Sequence, residues 1–173
     1  MGYTQVYESL KNGWVWQHEL HHPDEIQQNL AACKILADNG HKVEMLPYLE
    51  ETQVEERKIW LPDVFGFKNP DVRLNGTKIG DIKTPLLTQP VTKKCISRSI
   101  LSAAKQKVPV AVINISEREY SISDIKKGIV GALQPGINKS IQEVWIITKG
   151  NGLFIVTREI VFNDAIYDIL EYL

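Results

Sequence analysis

The chain has 173 residues, 43% of them apolar, and its 20 basic side chains nearly cancel 21 acidic ones to leave a formal charge of −1. Such a length suits one domain with a closed core, and the charge balance excludes a global positive field that would draw in nucleic acid, so any phosphate-binding surface has to be local. There is no run of eighteen apolar residues and no secretory-signal order at the N-terminus, which predicts a soluble chain without a membrane-spanning helix. Cys33 and Cys95 both fall in apolar helical contexts and read as core thiols rather than as a disulfide or metal ligands.

In chain order, Ile26, Leu30, Cys33 and Ala37 recur at helical spacing between Pro23 and Gly40, predicting a first helix over Asp24 to Asn39. Lys42 to Tyr48 alternates as a strand stopped by Pro47. The acidic stretch holding Glu50, Glu51, Glu55 and Glu56 reads as a solvated loop or helix face, because nothing apolar frames it. Asn69 to Thr84 reads as two short strands around Asn75-Gly76, a dipeptide whose residues both tolerate positive φ. Thr92 to Lys107 repeats helical spacing through Ile96, Ile100 and Ala104. The β-branched run Pro109 to Ile115 then predicts a strand buried on both faces. Ser123 to Leu133 suits another helix, Val144 to Thr148 and Leu153 to Thr157 a second hairpin, and Asn163 to Leu173 a closing amphipathic helix. The pattern predicts an α/β fold in a single domain over residues 1–173, with a core over about 13–115 and an α-β-β-α extension over 116–173.

In the first hairpin, Asp71 precedes Asp81-Ile82-Lys83 by ten residues. Asp81 and Lys83 share strand parity, so their side chains leave the same face. Whether Asp71 joins them depends on the loop. A two-residue loop at Asn75-Gly76 pairs Leu74 with Thr77 and turns Asp71 away; a three-residue loop over Leu74 to Gly76 or Asn75 to Thr77 sets Asp71 opposite Ile79 or Asp81. The expectation is the three-residue form, with Gly76 in a left-handed or bulged conformation. Two carboxylates held close repel unless a cation lies between them, and hard oxygen donors select Mg²⁺ or Mn²⁺, with Zn²⁺ as a lesser option. Lys83 would then position an attacking water or stabilise transition-state charge, which is the chemistry of phosphodiester hydrolysis. Spacing alone equally allows a surface hairpin with an ordinary Asp-Lys pair. The bare Pro-Asp dipeptide also recurs at Asp24 and Asp63; only Pro70-Asp71 enters a hairpin with an Asp-x-Lys strand.

The pattern Pro70-Asp71 … Asp81-Ile82-Lys83, after one helix and before a helix and a buried strand, resembles the PD-(D/E)xK nuclease superfamily. More narrowly, Asp24-Glu25 through Leu36 to Val43, then Asn69 to Gly76 and Asp81 to Pro85, resemble the C-terminal nuclease toxin domains of contact-dependent growth inhibition proteins. The likeness spans roughly Gly13 to Ile115. It implies a restriction-endonuclease-like core with a mixed central sheet flanked by helices. It also implies a bacterial toxin that cuts RNA, tRNA favoured over DNA, in the cytoplasm of a target cell, is delivered as part of a longer secreted protein, and is neutralised by a cognate immunity protein. From the family's site it implies Glu25 on the first helix as a third metal-binding carboxylate and Gln106 late in the second helix beside the site. Glu25 also fits its helix dipole without any ligand role, and Glu19 and Glu44 are substitutes for it. Lys93, Lys94 and Arg98, with Lys105 and Lys107 further on, gather around the second helix as a candidate phosphate-tracking face. Ser97, Ser99 and Ser102 could add hydrogen bonds there. The tryptophans, Trp145 above all, read as core.

Two other readings compete. His18-Glu19-Leu20-His21-His22 satisfies the zinc-protease spacing H-E-x-x-H, although Pro23 disfavours the continuous helix that it requires; His18 or His21 could instead serve as polar accessories to the nuclease site. The second alternative is non-enzymatic, an immunity protein or adaptor in which Glu50 to Glu56 would cover a basic partner.

Overall fold

The computed structural model describes residues 1–163 and Ile166; the closing helix predicted over Asn163 to Leu173 therefore falls almost wholly outside the described residues. The fold class is α/β with mixed strand pairing and flanking helices, and the chain divides into two compact units, Met1–Ile82 and Lys83–Leu173.

In the first unit, strands β1 (Tyr3–Glu8) and β2 (Trp14–His18) form an antiparallel hairpin. Helix α1 (Ile26–Asp38) then crosses over to β3 (Lys42–Met45), which runs parallel to β2. After the short helix α2 (Val54–Trp60), strand β4 (Val72–Leu74) returns antiparallel to β3, and β5 (Lys78–Lys83) antiparallel to β4. The β1–β2 hairpin is an element that helical and strand periodicity did not predict. Four of the six residues of β1 are exposed, so no burial pattern marks it; its one local signal is Asn12-Gly13, the dipeptide that also punctuates the β4–β5 hairpin. The inward stripe of α1 is rotated from the expected one. Asn29, Ala32, Cys33, Leu36 and Ala37 are buried, whereas Ile26 and Leu30 are only half-buried.

Between α2 and β4 the backbone is irregular, and Arg57 organises it. Its buried guanidinium donates to the carbonyls of Leu49 and Lys68, at 2.6 and 2.5 Å, and to Asn69 Oδ1 at 3.1 Å. Arg73, on β4, holds both carboxylate oxygens of Asp63 and reaches Glu44. Together the two arginines tie down the segment that delivers Asp71.

In the second unit, α3 (Lys93–Ala104) is capped by the Thr92 side chain, which accepts from the Cys95 N–H. The predicted central strand is β6 (Val110–Asn114), every residue of which is buried. Helix α4 (Ile122–Ala132) connects it to β7 (Glu143–Ile147), parallel to β6; β8 (Leu153–Thr157) pairs antiparallel with β7, and α5 (Arg158–Phe162) follows. Ile96, Ile100 and Ala104 are buried along α3 as its spacing predicts. Trp145 lies in the core, and Cys33 is wholly enclosed. Cys95 departs from expectation: it is half-buried rather than core, and both thiols are free. Arg118 clamps the loop after β5 by donating to the carbonyls of Pro85, Leu86 and Gln89.

Candidate metal centre

The β4–β5 hairpin closes through three residues. Leu74 faces Lys78, Arg73 faces Ile79 and Val72 faces Gly80, which leaves Asn75-Gly76-Thr77 as the loop. Asn75 and Gly76 both take positive φ, +51° and +78°, a combination that glycine accepts at no steric cost and asparagine at little. Carried one step back along the strands, this register sets Asp71 opposite Asp81. The loop form on which the joining of these two carboxylates depended is the one the chain adopts.

Both aspartates are buried, Asp71 to 7% exposure and Asp81 to 3%. Asp71 Oδ2 accepts the Ile82 N–H at 2.6 Å, and Oδ1 accepts from the Asn29 amide at 3.2 Å. Burial raises the Asp71 pKa well above the ordinary carboxylate value. The negative charge of Asp81 pushes it further the same way, partly offset by the Ile82 N–H, and a hydrogen bond with the Asp81 carboxyl and the charge of Glu25 add to the rise. Without a cation, the pair is therefore disposed to hold a proton between its members.

Glu25 stands at the N-cap of α1, exposed, and its carboxylate makes no capping bond. Its charge is felt by both Asp71 and His21, but among the described residues no three acidic, histidine or cysteine side chains are gathered closely enough to form a ready metal cage. The structure thus brings Asp71 and Asp81 together as a two-carboxylate half-site and leaves Glu25 at its margin. Of the substitutes for Glu25, Glu44 is engaged by Arg73, and Glu19 by the N-terminal amine and the Gly2 N–H. A hard divalent cation fits the donor set, because it would neutralise two carboxylates that burial and mutual repulsion otherwise oppose.

Lys83 is the last residue of β5, half-buried, and strand alternation returns its side chain to the face that carries Asp81, with Ile82 pointing the opposite way. Gln106 lies just past the end of α3, with its amide oxygen buried and without a hydrogen-bond partner among the described residues. Lys93, Lys94 and Arg98 are exposed on α3. Of the nearby serines, Ser97 and Ser99 turn their hydroxyls back to their own helix, on the carbonyls of Lys94 and Cys95. Lys105, Lys107 and Lys139, together with Leu101, Ala104, Asn138 and Ser140, line a cavity of about 280 Å³ in the second unit.

The histidine motif is not a zinc helix. His18 ends β2 and His21 lies in the turn that follows, so no shared helical face presents the two imidazoles. His18 packs against Trp60 and Tyr3. His21 is buried and hydrogen-bonds both Leu46 and Asn29, the residue whose amide also donates to Asp71. Burial lowers the pKa of its imidazole, against the opposing effect of the Leu46 bond. Asn29 itself escaped sequence reasoning. Its signal is a polar residue three positions after Ile26 and four before Cys33, on the inward stripe of an apolar helix.

The site is therefore a buried carboxylate pair on a hairpin of a mixed α/β fold, with a lysine two residues on. Residues 68–153 match the family model of the contact-dependent growth inhibition CdiA C-terminal domain; that stretch includes Asp71, Asp81, Lys83 and Gln106 but not Glu25. Among solved structures, one chain of the CdiA-CT/CdiI toxin and immunity complex from Burkholderia pseudomallei is similar, with a TM-score of 0.52 and 20% identity over 81% of this chain and 92% of that one. At that identity the likeness is one of fold. No curated protein matches. The chain is thus similar to the CdiA C-terminal domain family over residues 68–153 and similar in fold to a chain of that complex.

Proposed function

We propose that the chain is a contact-dependent growth inhibition toxin domain acting as a metal-dependent endonuclease of the PD-(D/E)xK type, with tRNA as the favoured substrate and DNA as the alternative. The observation that carries this reading is the register that sets Asp71 beside Asp81, both buried, at the end of a hairpin strand carrying Lys83. Asp71 and Asp81 would bind a divalent cation, Mg²⁺ or Mn²⁺, with Glu25 as the third carboxylate, recruited from the N-cap of α1. When bound, such an ion supplies charge neutralisation at a phosphoryl oxygen. The Lys83 ammonium orients the attacking water by hydrogen bonding and offsets negative charge as it builds on the phosphate oxygens. Gln106 contributes an amide beside the substrate, and the exposed Lys93, Lys94 and Arg98 hold the phosphate backbone.

Partners and delivery follow from the similarities to known proteins. The similar chain comes from a toxin and immunity complex, which supports a cognate immunity protein as a partner here, and the family match supports delivery within a longer secreted protein; action in a bacterial cytoplasm is part of the proposal. The match to the CdiA side also favours the toxin over the immunity-protein alternative.

The test is cleavage of total tRNA and of linear and supercoiled DNA by purified protein, with Mg²⁺, Mn²⁺, Zn²⁺ or chelator, beside folded Asp81→Ala and Lys83→Ala variants. We expect cutting that needs metal and falls by on the order of 10³-fold in either variant. Activity untouched by chelator, or equal in the Asp81→Ala protein, would refute the metal site.

A further inference from the structure

We infer that Asn29 and His21 are positioning residues for the Asp71 carboxylate, forming with Leu46 a closed hydrogen-bond ring that fixes how the carboxylate is presented to a cation. The inference rests on the metal-site reading above.

The ring can be followed atom by atom. The Leu46 N–H donates to the backbone carbonyl of Asp71 at 2.8 Å. The Leu46 carbonyl can only accept, so the His21 Nδ1 that lies 2.6 Å from it carries the proton. His21 Nε2 is then a bare lone pair, and it faces the Asn29 amide nitrogen at 3.0 Å. The same nitrogen spends its second hydrogen on Asp71 Oδ1, 3.2 Å away, while Asp71 Oδ2 is held by the Ile82 N–H. A reversed amide would set its oxygen against both the Nε2 lone pair and a carboxylate oxygen. One tautomer of His21 and one orientation of Asn29 therefore satisfy every group, and each choice enforces the other.

Asn29 is 1% exposed and His21 3%, on the inward face of α1 and against β3. An aliphatic side chain at position 29 would fill the stripe without the cost of burying an amide. What the amide adds is direction: it fixes the rotation of the carboxylate, as the partners of metal ligands commonly do. The ring members other than Asp71 carry no formal charge. They orient Asp71 without an ion pair and so leave the negative charge of Asp71 for a cation.

The experiment combines ¹⁵N NMR of the His21 ring and the Ile82 amide with calorimetric Mn²⁺ titration and thermal melting, on the parent protein and on Asn29→Ala, His21→Ala and His21→Gln. The parent should show a protonated Nδ1 and a bare Nε2. Asn29→Ala should move the Ile82 amide signal and weaken Mn²⁺ binding by about tenfold or more while still melting cooperatively. His21→Gln, whose amide can donate to Leu46 and accept from Asn29, should recover most of what His21→Ala loses. A His21 protonated at Nε2 overturns the inference without any variant, and so does an Asn29→Ala protein that binds Mn²⁺ like a parent that itself binds the ion. A parent that binds no Mn²⁺ at all overturns the metal site and this inference with it.

Discussion

Placing the Asp71 carboxylate out of water beside a second carboxylate has a measurable consequence in the metal-free protein. Its pKa is raised in the folded state by burial and by Asp81, so the native chain keeps a proton that the unfolded chain releases near the ordinary aspartate value of 3.8. The stabilisation from that proton is fully present below this value and is lost as pH rises through the folded pKa. Melting temperatures of chelated protein should therefore fall as pH rises above the ordinary aspartate value. Saturating Mn²⁺ should flatten the profile, and Asp81→Asn, which removes the like charge, should shrink the slope in the absence of metal. A chelated protein whose stability climbs steadily over the same range would contradict the raised pKa. At this scale the sequence was partly legible. Asp81 and Lys83 were readable as a candidate same-face pair because strand parity is a local property, and Asp71 as their candidate partner only through the turn chemistry of Asn75-Gly76. Asn29 was not, because its importance depends on which way α1 faces.

Among the elements, the β4–β5 hairpin shows how a loop decides a site. Deleting Thr77 leaves Leu74 opposite Lys78 across a two-residue Asn75-Gly76 turn, whose positive φ values are already in place. Asp71 then still faces Asp81, and Mn²⁺ affinity should stay within about threefold of the parent, a change of less than ~1 kcal/mol. Loss of binding would mean that the extra residue, rather than the register, shapes the site. Helix α4 offers a paired test. A Cβ at Gly128 would lie 2.6 Å from Ile96 Cβ and 2.8 Å from the Lys93 carbonyl oxygen, whereas one at Gly131 would meet nothing within 4 Å among the described residues. Gly128→Ala should destabilise by about 1–3 kcal/mol through steric overlap with α3, and Gly131→Ala should stabilise by about 0.5–1 kcal/mol through helix propensity. Denaturant melts of the two variants should move in opposite directions; movement in the same direction would refute the packing account. Gly128 and Gly131 look alike in the sequence, and only the neighbouring helix separates them.

Across the whole molecule, the near-neutral charge of the chain means that nucleic-acid binding, if the proposed function holds, has to rest on local basic groups. Lys105, Lys107 and Lys139 around the cavity of the second unit are one such group, and the exposed basic residues of α3 are another. Replacing the three cavity lysines by alanine should weaken tRNA binding and lower the slope of log K against log salt by roughly 0.7 for each phosphate that is no longer neutralised. An unchanged slope, read by filter binding or fluorescence, would assign the electrostatics elsewhere. By itself the sequence determined the α/β class, most of the helices and strands, the central buried strand and the candidate pair Asp71 and Asp81. These follow from periodicity and turn chemistry, which act over a few residues. Only the tertiary structure decided that an exposed edge hairpin precedes α1, that α1 turns Asn29 inward, that H-E-x-x-H straddles a strand end and a turn, and that Glu25 stays at the margin of the carboxylate pair. Each of these depends on contacts between residues far apart in the chain, where burial and hydrogen-bond satisfaction override local preference.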